Sequence, residues 1–328
     1  MAGTTGIGWT DATANFWIGC TMVGPGCGEV MPDGRQIGCY AAVFAERKFN
    51  IIFGAGERRH RAQAGYENPL RWQRMHDRGQ TTMRNMGRDV PVPVWIFPNS
   101  LSDFFDNEIP LDWRSDAWKV IRDCPALRWQ IPTKRVGNIA KMLPADWDGG
   151  RNYPHVGIIG TMVNQDELDR DGPKLIRLKT EFGVRWVGVS MEPQLEEIDP
   201  TDLGGTMTVR LPRDPTPPMQ PLSNDAVDWI ITGGESNQGE HKARPYDLDW
   251  ARALVRFGQV AKIPIFVKQL GDHPVQFGGT TKKFGSAGSD PSLWPADLRV
   301  QQMPRVFDND PPYQPRNVPK ALKEPSLL

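Results

Sequence analysis

The 328-residue chain is poor in cysteine and histidine, with four and five respectively, and carries a formal net charge of zero. Four cysteines are too few to staple a chain of this length with disulfides, and three of them crowd between positions 20 and 39 while Cys124 stands alone. The histidines show neither H-x-x-x-H nor triad spacing, so no catalysis is assigned to them. Apolar runs are short, and none approaches the roughly 18 residues of a membrane-spanning helix, so no membrane partner is expected. The opening residues MAGTTGIGWTDATANFW lack a basic n-region and a continuous apolar h-region. No secretory signal is therefore read there, and a reducing, cytoplasmic location is expected. Self-similarity at a period of about 20–50 residues is also missing, which leaves solenoids and propellers without support.

What is present is a rhythm of short apolar, β-branched or aromatic runs with helical stretches between them. Strands are expected at 15–18, 92–97, 127–131, 156–160, 184–189, 227–231 and 263–267, and helices at 40–49, 113–122, 136–143, 165–181 and 248–261. Most of the strand runs lack strict polar alternation, as strands buried on both faces of a parallel sheet do. Alternating β and α elements with right-handed crossovers give an α/β fold on a parallel sheet, open or closed. Two stretches break the rhythm: residues 50–90, expected to add helices to the first β/α connection, and the Pro-rich residues 200–226, expected to be a surface loop. From Gly278 onward the chain is rich in Gly, Pro and Ser and is expected to be irregular and partly mobile. The domain reading is one β/α body over 1–275, carrying a basic insertion at 50–90, with an irregular extension over 276–328.

Neutral net charge hides an uneven distribution. From Glu46 to Arg88, ten basic residues (Arg47, Lys48, Arg58, Arg59, Arg61, Arg71, Arg74, Arg78, Arg84, Arg88) face four acidic ones (Glu46, Glu57, Glu67, Asp77). Such a segment is either a solvated helical face or a surface that meets phosphates.

Cys20 follows the first expected strand, Cys27 comes after the turn VGPG, and Cys39 opens the helix CYAAVFAER. Three thiols thus gather where a strand of a parallel sheet ends, the end at which cofactors bind. Iron–sulfur clusters are held by thiolates, normally four, so three would leave one iron open for the amino and carboxylate groups of S-adenosylmethionine. A structural zinc would want a fourth ligand and paired knuckles; Cys124 or His60 would have to supply it from a distance, and unliganded thiols are the plainest alternative.

The segments GWTDATANFWIGC, PGC, GCYAAVFAER, VWIFPNSLSDFF, QIPTKR, VGVSMEPQ, WIITGGES and FVKQLG, spread from Gly8 to Gly271, resemble a family of phage and bacterial three-cysteine proteins related to radical S-adenosylmethionine enzymes of the phage thymidine-hypermodification type. The resemblance implies a partial or complete β/α barrel, a [4Fe-4S] cluster on Cys20, Cys27 and Cys39, and S-adenosylmethionine as second cofactor. It further implies an isomerase acting on an amino-acid-modified thymidine, a 5-hydroxymethyluracil derivative, in phage DNA, with an electron donor such as flavodoxin or ferredoxin. A lyase or repair enzyme acting on pyrimidines, RNA or peptide is the neighbouring reading, and a zinc-stabilised nucleic-acid-binding protein without catalysis the rival from another class. One departure stands out: where the family pattern separates the second and third cysteines by two residues, GEVMPDGRQIG intervenes here.

In a barrel of this kind, residues following each strand would face the cluster. Ser100 and Asp103 are expected to bind the methionine amino group, and Lys134, Glu192 and Glu235 to make polar contacts with cofactor or substrate. Gly233 and Gly234 are expected to let a ligand approach the main chain. The alternative for each polar residue is capping or loop bonding.

Overall fold

The computed structural model describes residues 5–32, 36–205, 225–276, 279–280 and 283–304. Seven strands form its principal sheet: β1 (Ala12–Ala14), β2 (Trp95–Pro98), β3 (Arg128–Thr133), β4 (Val156–Thr161), β5 (Trp186–Met191), β6 (Trp229–Gly233) and β7 (Ile265–Gln269). Their order in the sheet is their order in the chain. The pairs β1–β2, β2–β3, β5–β6 and β6–β7 are parallel, with Ala12 opposite Ile96 and Gly188 opposite Trp229. The helices between them are α1 (Tyr40–Phe49), α2 (Gln63–Asp77), α3 (Leu111–Arg122), α4 (Gln165–Phe182) and α5 (Leu248–Ala261). This is the expected α/β fold on a parallel sheet.

Among the described residues the chain divides into two compact units, the first running through Ile159 and taking in Gln238–His241, the second formed by Gly160–Asn237 and residues 242–304. In the first, Phe16 stacks near Trp129 and meets Tyr66 and Phe104 edge-on, while Trp118 packs on Phe104, Trp147 and Tyr153. Each buried aromatic removes enough apolar surface to contribute about 1.5–3 kcal/mol. Helix α2 presses directly on the chain leaving β1: a Cβ at Gly65 would lie 1.9 Å from the Asn15 carbonyl oxygen, so only glycine permits the approach. The second unit is cored by Trp186, Trp229 and Phe266. There the buried Lys179–Asp228 pair, 2.9 Å apart, ties α4 to the chain entering β6, and Asp228 also accepts the Val187 amide at 2.8 Å.

Some boundaries differ from the sequence reading. The strand expected at 15–18 is split: β1 ends at Ala14, and Trp17–Ile18 pairs antiparallel with His60–Arg61 instead. The stretch expected to be one helix over 136–143 is a 3-10 turn at Val136–Asn138 followed by a single helical turn at Ile139–Met142. Residues 283–304 of the expected irregular tail are packed: Trp294 and Leu298 are buried, and Val300 accepts the Val267 amide at 2.8 Å. Most of the Pro-rich stretch and residues 305–328 lie outside the described residues.

Candidate metal centre

Two clusters of polar side chains stand at strand ends, one in each unit. The first contains the three cysteines. Beyond β1 the chain is fastened to the loop after β2: Asn99 Oδ1 accepts the Phe16 amide at 3.0 Å, Asn15 Oδ1 accepts the Leu101 amide at 2.8 Å, and Gly19 donates its amide to Leu101 at 3.1 Å. Gly19 then takes φ +102, a turn natural to glycine, and delivers Cys20. Cys27 closes the 3-10 turn Pro25–Cys27, and Cys39 is the N-cap of α1, where the Ala42 and Ala41 amides favour its thiolate.

The eleven residues between Cys27 and Cys39 do not hold these thiols apart. Glu29–Val30 pairs antiparallel with Gln36–Ile37, so the insertion leaves and returns as a hairpin. At its base Gly28 (φ +101) and Gly38 (φ +90) stand back to back. A Cβ on Gly28 would fall 1.9 Å from the Ile37 carbonyl oxygen, and one on Gly38 would fall 3.0 Å from the Gly28 Cα and from the buried His241 ring. The excursion therefore closes on two glycines and sets Cys27 and Cys39 beside each other.

All three cysteines are half-buried residues, and Cys20 and Cys39 rest against the cluster of Ile18, Ala41, Ala45, Ile51, Phe53 and Leu101. Burial pushes the Cys20 thiol well above its ordinary value; Cys39, Asp103 and Cys27 push the same way, while the Arg135 cation pulls against them. Burial likewise raises Cys39, with Cys27 adding to it and Lys134 opposing. Burial alone would depress the Lys134 ammonium, but Cys27, Cys39, Asp103 and Cys20 outweigh it and hold the group above the usual lysine value. Each thiol thus lies within the electrostatic reach of the other two, with one lysine answering all three. Below their raised titration points Cys20 and Cys39 are neutral thiols and hence poor nucleophiles. In metal-free protein at pH 7.5, alkylation by iodoacetamide at these two positions is expected to be at least tenfold slower than for a free thiol, accelerating as pH rises; peptide mass spectrometry reads both rates.

A buried ionic network supports the pocket. Asp103 Oδ1 accepts from the Phe105 amide and the Thr133 hydroxyl, each at 2.8 Å, and its Oδ2 accepts the Lys134 amide at 3.0 Å with Arg135 at 3.6 Å. Asp106 joins Arg59 at 3.0 Å and Arg135 at 3.4 Å, all three side chains being under one-tenth exposed. Arg59 also donates to the carbonyls of Gly54 and Glu57 and to the Thr21 hydroxyl, and Arg135 donates to the Thr21 carbonyl. Asp103, expected as a ligand contact, has its oxygens engaged by protein donors, and Ser100 bonds Asn15 through its hydroxyl at 3.2 Å. These two residues align the cysteine loop on β2 and β3. Cys124 is fully buried and its thiol is pushed up to about 12, chiefly by burial; none of the other three cysteines is among the charges acting on it.

In the second unit, Glu192 follows β5 and meets the Lys268 ammonium of β7 at 3.1 Å, with the Ser190 hydroxyl 3.4 Å from its other oxygen. Gly233 makes room for that carboxylate, since a Cβ there would lie 2.9 Å from Glu192 Oε1. Behind them Thr232 bonds both Gln194 (2.8 Å) and the Tyr246 hydroxyl (2.9 Å). The close main-chain approach expected at Gly233 and Gly234 is thus occupied by protein: Glu192 at the first, and the Leu270 carbonyl, 2.8 Å from a Cβ, at the second. Glu235 is clamped by Arg244 through both oxygens at 2.9 and 2.7 Å. The Glu192–Lys268 pair leaves polar capacity at the strand ends. Sequence reasoning singled out Glu192 without its Lys268 partner, and it missed Arg59, Arg135 and Asp106 as one network.

Among the described residues, no three Cys, His, Asp or Glu side chains converge tightly enough to hold a single metal ion. A family model described as "Protein of unknown function (DUF5131)" matches residues 4–296. Neither the curated proteins nor the solved structures yield a match.

Proposed function

Because the chain belongs to the DUF5131 family, whose description assigns no activity, its chemistry must be read from its own residues, and we propose that it is a radical S-adenosylmethionine enzyme whose Cys20, Cys27 and Cys39 hold a [4Fe-4S] cluster. The observation that carries this reading is the gathering of three half-buried cysteines within mutual electrostatic reach, with the insertion between two of them leaving and returning as a paired hairpin. In a cubane cluster each thiolate takes a different iron, so its sulfurs face a common space without converging on one point. Three cysteines within mutual electrostatic reach match that requirement.

When bound and reduced, the cluster and S-adenosylmethionine supply a 5′-deoxyadenosyl radical. Lys134 and Arg135 set positive charge against the thiolates, and Asp103 holds the backbone that presents both. The apolar wall of Ile18, Ile51, Phe53 and Leu101 keeps water from two of the sulfurs. Ser100 and Asp103 are assigned to shaping the methionine end of the cofactor site, and the Glu192–Lys268 pair of the second unit is assigned to polar contact with the substrate. The proposed reaction is isomerisation of an amino-acid-modified thymidine in DNA, supported by the family resemblance and by the basic segment 47–88. A flavodoxin or ferredoxin is the proposed electron donor, in the cytoplasm of the cell that makes the protein.

The test is anaerobic reconstitution with iron and sulfide, reduction with dithionite, and measurement of 5′-deoxyadenosine released from S-adenosylmethionine. Formation by the native protein, with loss in Cys20→Ala, Cys27→Ala and Cys39→Ala, is the expected result. Stoichiometric zinc, no iron–sulfur absorbance and no deoxyadenosine would sink the proposal.

A further inference from the structure

We propose that the β-hairpin formed by Thr82–Asn85 and Arg88–Pro91 is a nucleic-acid probe, in which Met86 enters the base stack as an apolar wedge and Arg84 and Arg88 contact the flanking phosphates. The hairpin pairs in register with Asn85 opposite Arg88, leaving Met86 and Gly87 as a two-residue turn. Both take positive φ, +46 and +78. That conformation suits Asn-Gly or Gly-Gly; methionine at the first position is strained. Its side chain is also 80% exposed, so neither its conformation nor its surroundings in the folded chain favour it there. Strain at an unburied apolar residue at the tip of a regular hairpin points to a role outside the fold.

The base of the hairpin is firm. Met83 and Val92 are 6% and 3% exposed, Val92 donates its amide to Thr81 at 3.0 Å, and His76 on α2 bonds the Pro93 carbonyl at 2.8 Å. Around the tip the charge is mainly positive. Arg84 and Arg88 flank Met86, and the Arg84–Asp89 pair is held at 3.3 Å with both side chains 70% exposed, a contact that gives way easily to a phosphate. Arg71 and Arg74 on the preceding helix α2 and Arg78 at its C-cap are exposed, with no ion pair among the described residues. Two-stranded ribbons fit the grooves of duplex DNA, and inserted apolar side chains, methionine included, open base steps there. A base that is to meet buried chemistry must leave the stack, and a wedge lowers the barrier to that.

This inference deepens the nucleic-acid part of the proposed function and rests on it for the substrate class, but not for the cluster. The experiment is fluorescence anisotropy of the full chain with a 20-base-pair duplex containing 2-aminopurine, comparing the native protein before and after reconstitution with iron and sulfide, and the native protein with Met86→Ser and with Arg84→Gln/Arg88→Gln. The native protein should bind with a rise in 2-aminopurine emission as the base unstacks. Met86→Ser should abolish the rise and weaken binding roughly tenfold, the scale of one lost apolar side-chain burial. The double arginine variant should flatten the plot of log affinity against log salt by about two. Binding should be the same before and after reconstitution, so failure of the cluster reading and failure of this one are separable. Unchanged affinity, emission and salt slope in the hairpin variants, or no duplex binding at all, would overturn the proposal. So would a dimer, seen by sedimentation, that Met86→Ser breaks while DNA affinity stays constant, since the tip would then be a protein contact.

Discussion

Asp106→Ala is expected to destabilise the first unit by about 3–5 kcal/mol, because it strips the carboxylate from a buried arginine cluster and leaves the guanidinium groups of Arg59 and Arg135 without their common partner. Arg59 keeps Glu108 at 3.2 Å and its carbonyl acceptors, and Arg135 keeps the more distant Asp103, so the charge is not wholly abandoned. The loss therefore falls within the range seen when one member of a buried ion pair is removed, not beyond it. Asp106→Asn, which retains acceptor oxygen but not charge, should lose about half as much. Thermal unfolding would separate them: a fall in Tm on the order of 10 °C is expected for alanine. Equal Tm values for native protein and Asp106→Ala would mean that the network is electrostatically idle.

The second large effect is local. Gly28→Ala would place a methyl group 1.9 Å from the Ile37 carbonyl oxygen, at a backbone φ of +101 that alanine resists. A backbone oxygen cannot move aside as a flexible side chain can, so the base of the inserted hairpin must open and Cys27 must part from Cys39. Iron and sulfide bound after reconstitution should drop to near background while the far-ultraviolet circular dichroism stays native, since each strand of that hairpin is only two residues long. Gly79→Ala is the control: its φ of +68 carries the backbone strain, but nothing lies within 4 Å of the added carbon. Native iron content in Gly28→Ala would refute the idea that the glycine pair sets the thiol spacing.

Much of the architecture was legible in the sequence, and the misplacements have physical causes. The strands expected at 184–189, 227–231 and 263–267 lie two residues later, at Trp186–Met191, Trp229–Gly233 and Ile265–Gln269. Val184, Val227 and Ile263 are buried but precede the ladder. A strand covered on both faces shows no alternation, so an apolar residue packed beneath the sheet looks like part of it. The shift matters because it carries Ser190, Thr232 and Gln269 into the strands themselves. Helices α1 and α5 were read to the residue because Cys39 and Asp247 stand as N-caps before clear helical patterns. The thiols could be picked out because cysteine is rare. Their environment could not: Arg59 sits in a run of arginines, and composition does not distinguish the one that is buried with Asp106 from the solvated ones beside it. The glycines of the insertion were visible, but that they meet back to back depends on the register of Glu29–Val30 with Gln36–Ile37.

The strands follow one another across the sheet in the order in which the chain is made. Each new strand emerging from the ribosome finds its neighbour already in place, and no strand waits for a distant partner. The three thiols, Asp103, Lys134 and Arg135 have all been synthesised before β4 begins at Val156; of the groups touching the thiol loops described above, only His241 comes later. The proposed cluster site can therefore assemble before β4 to β7 have been made, which would let cofactor loading begin during translation.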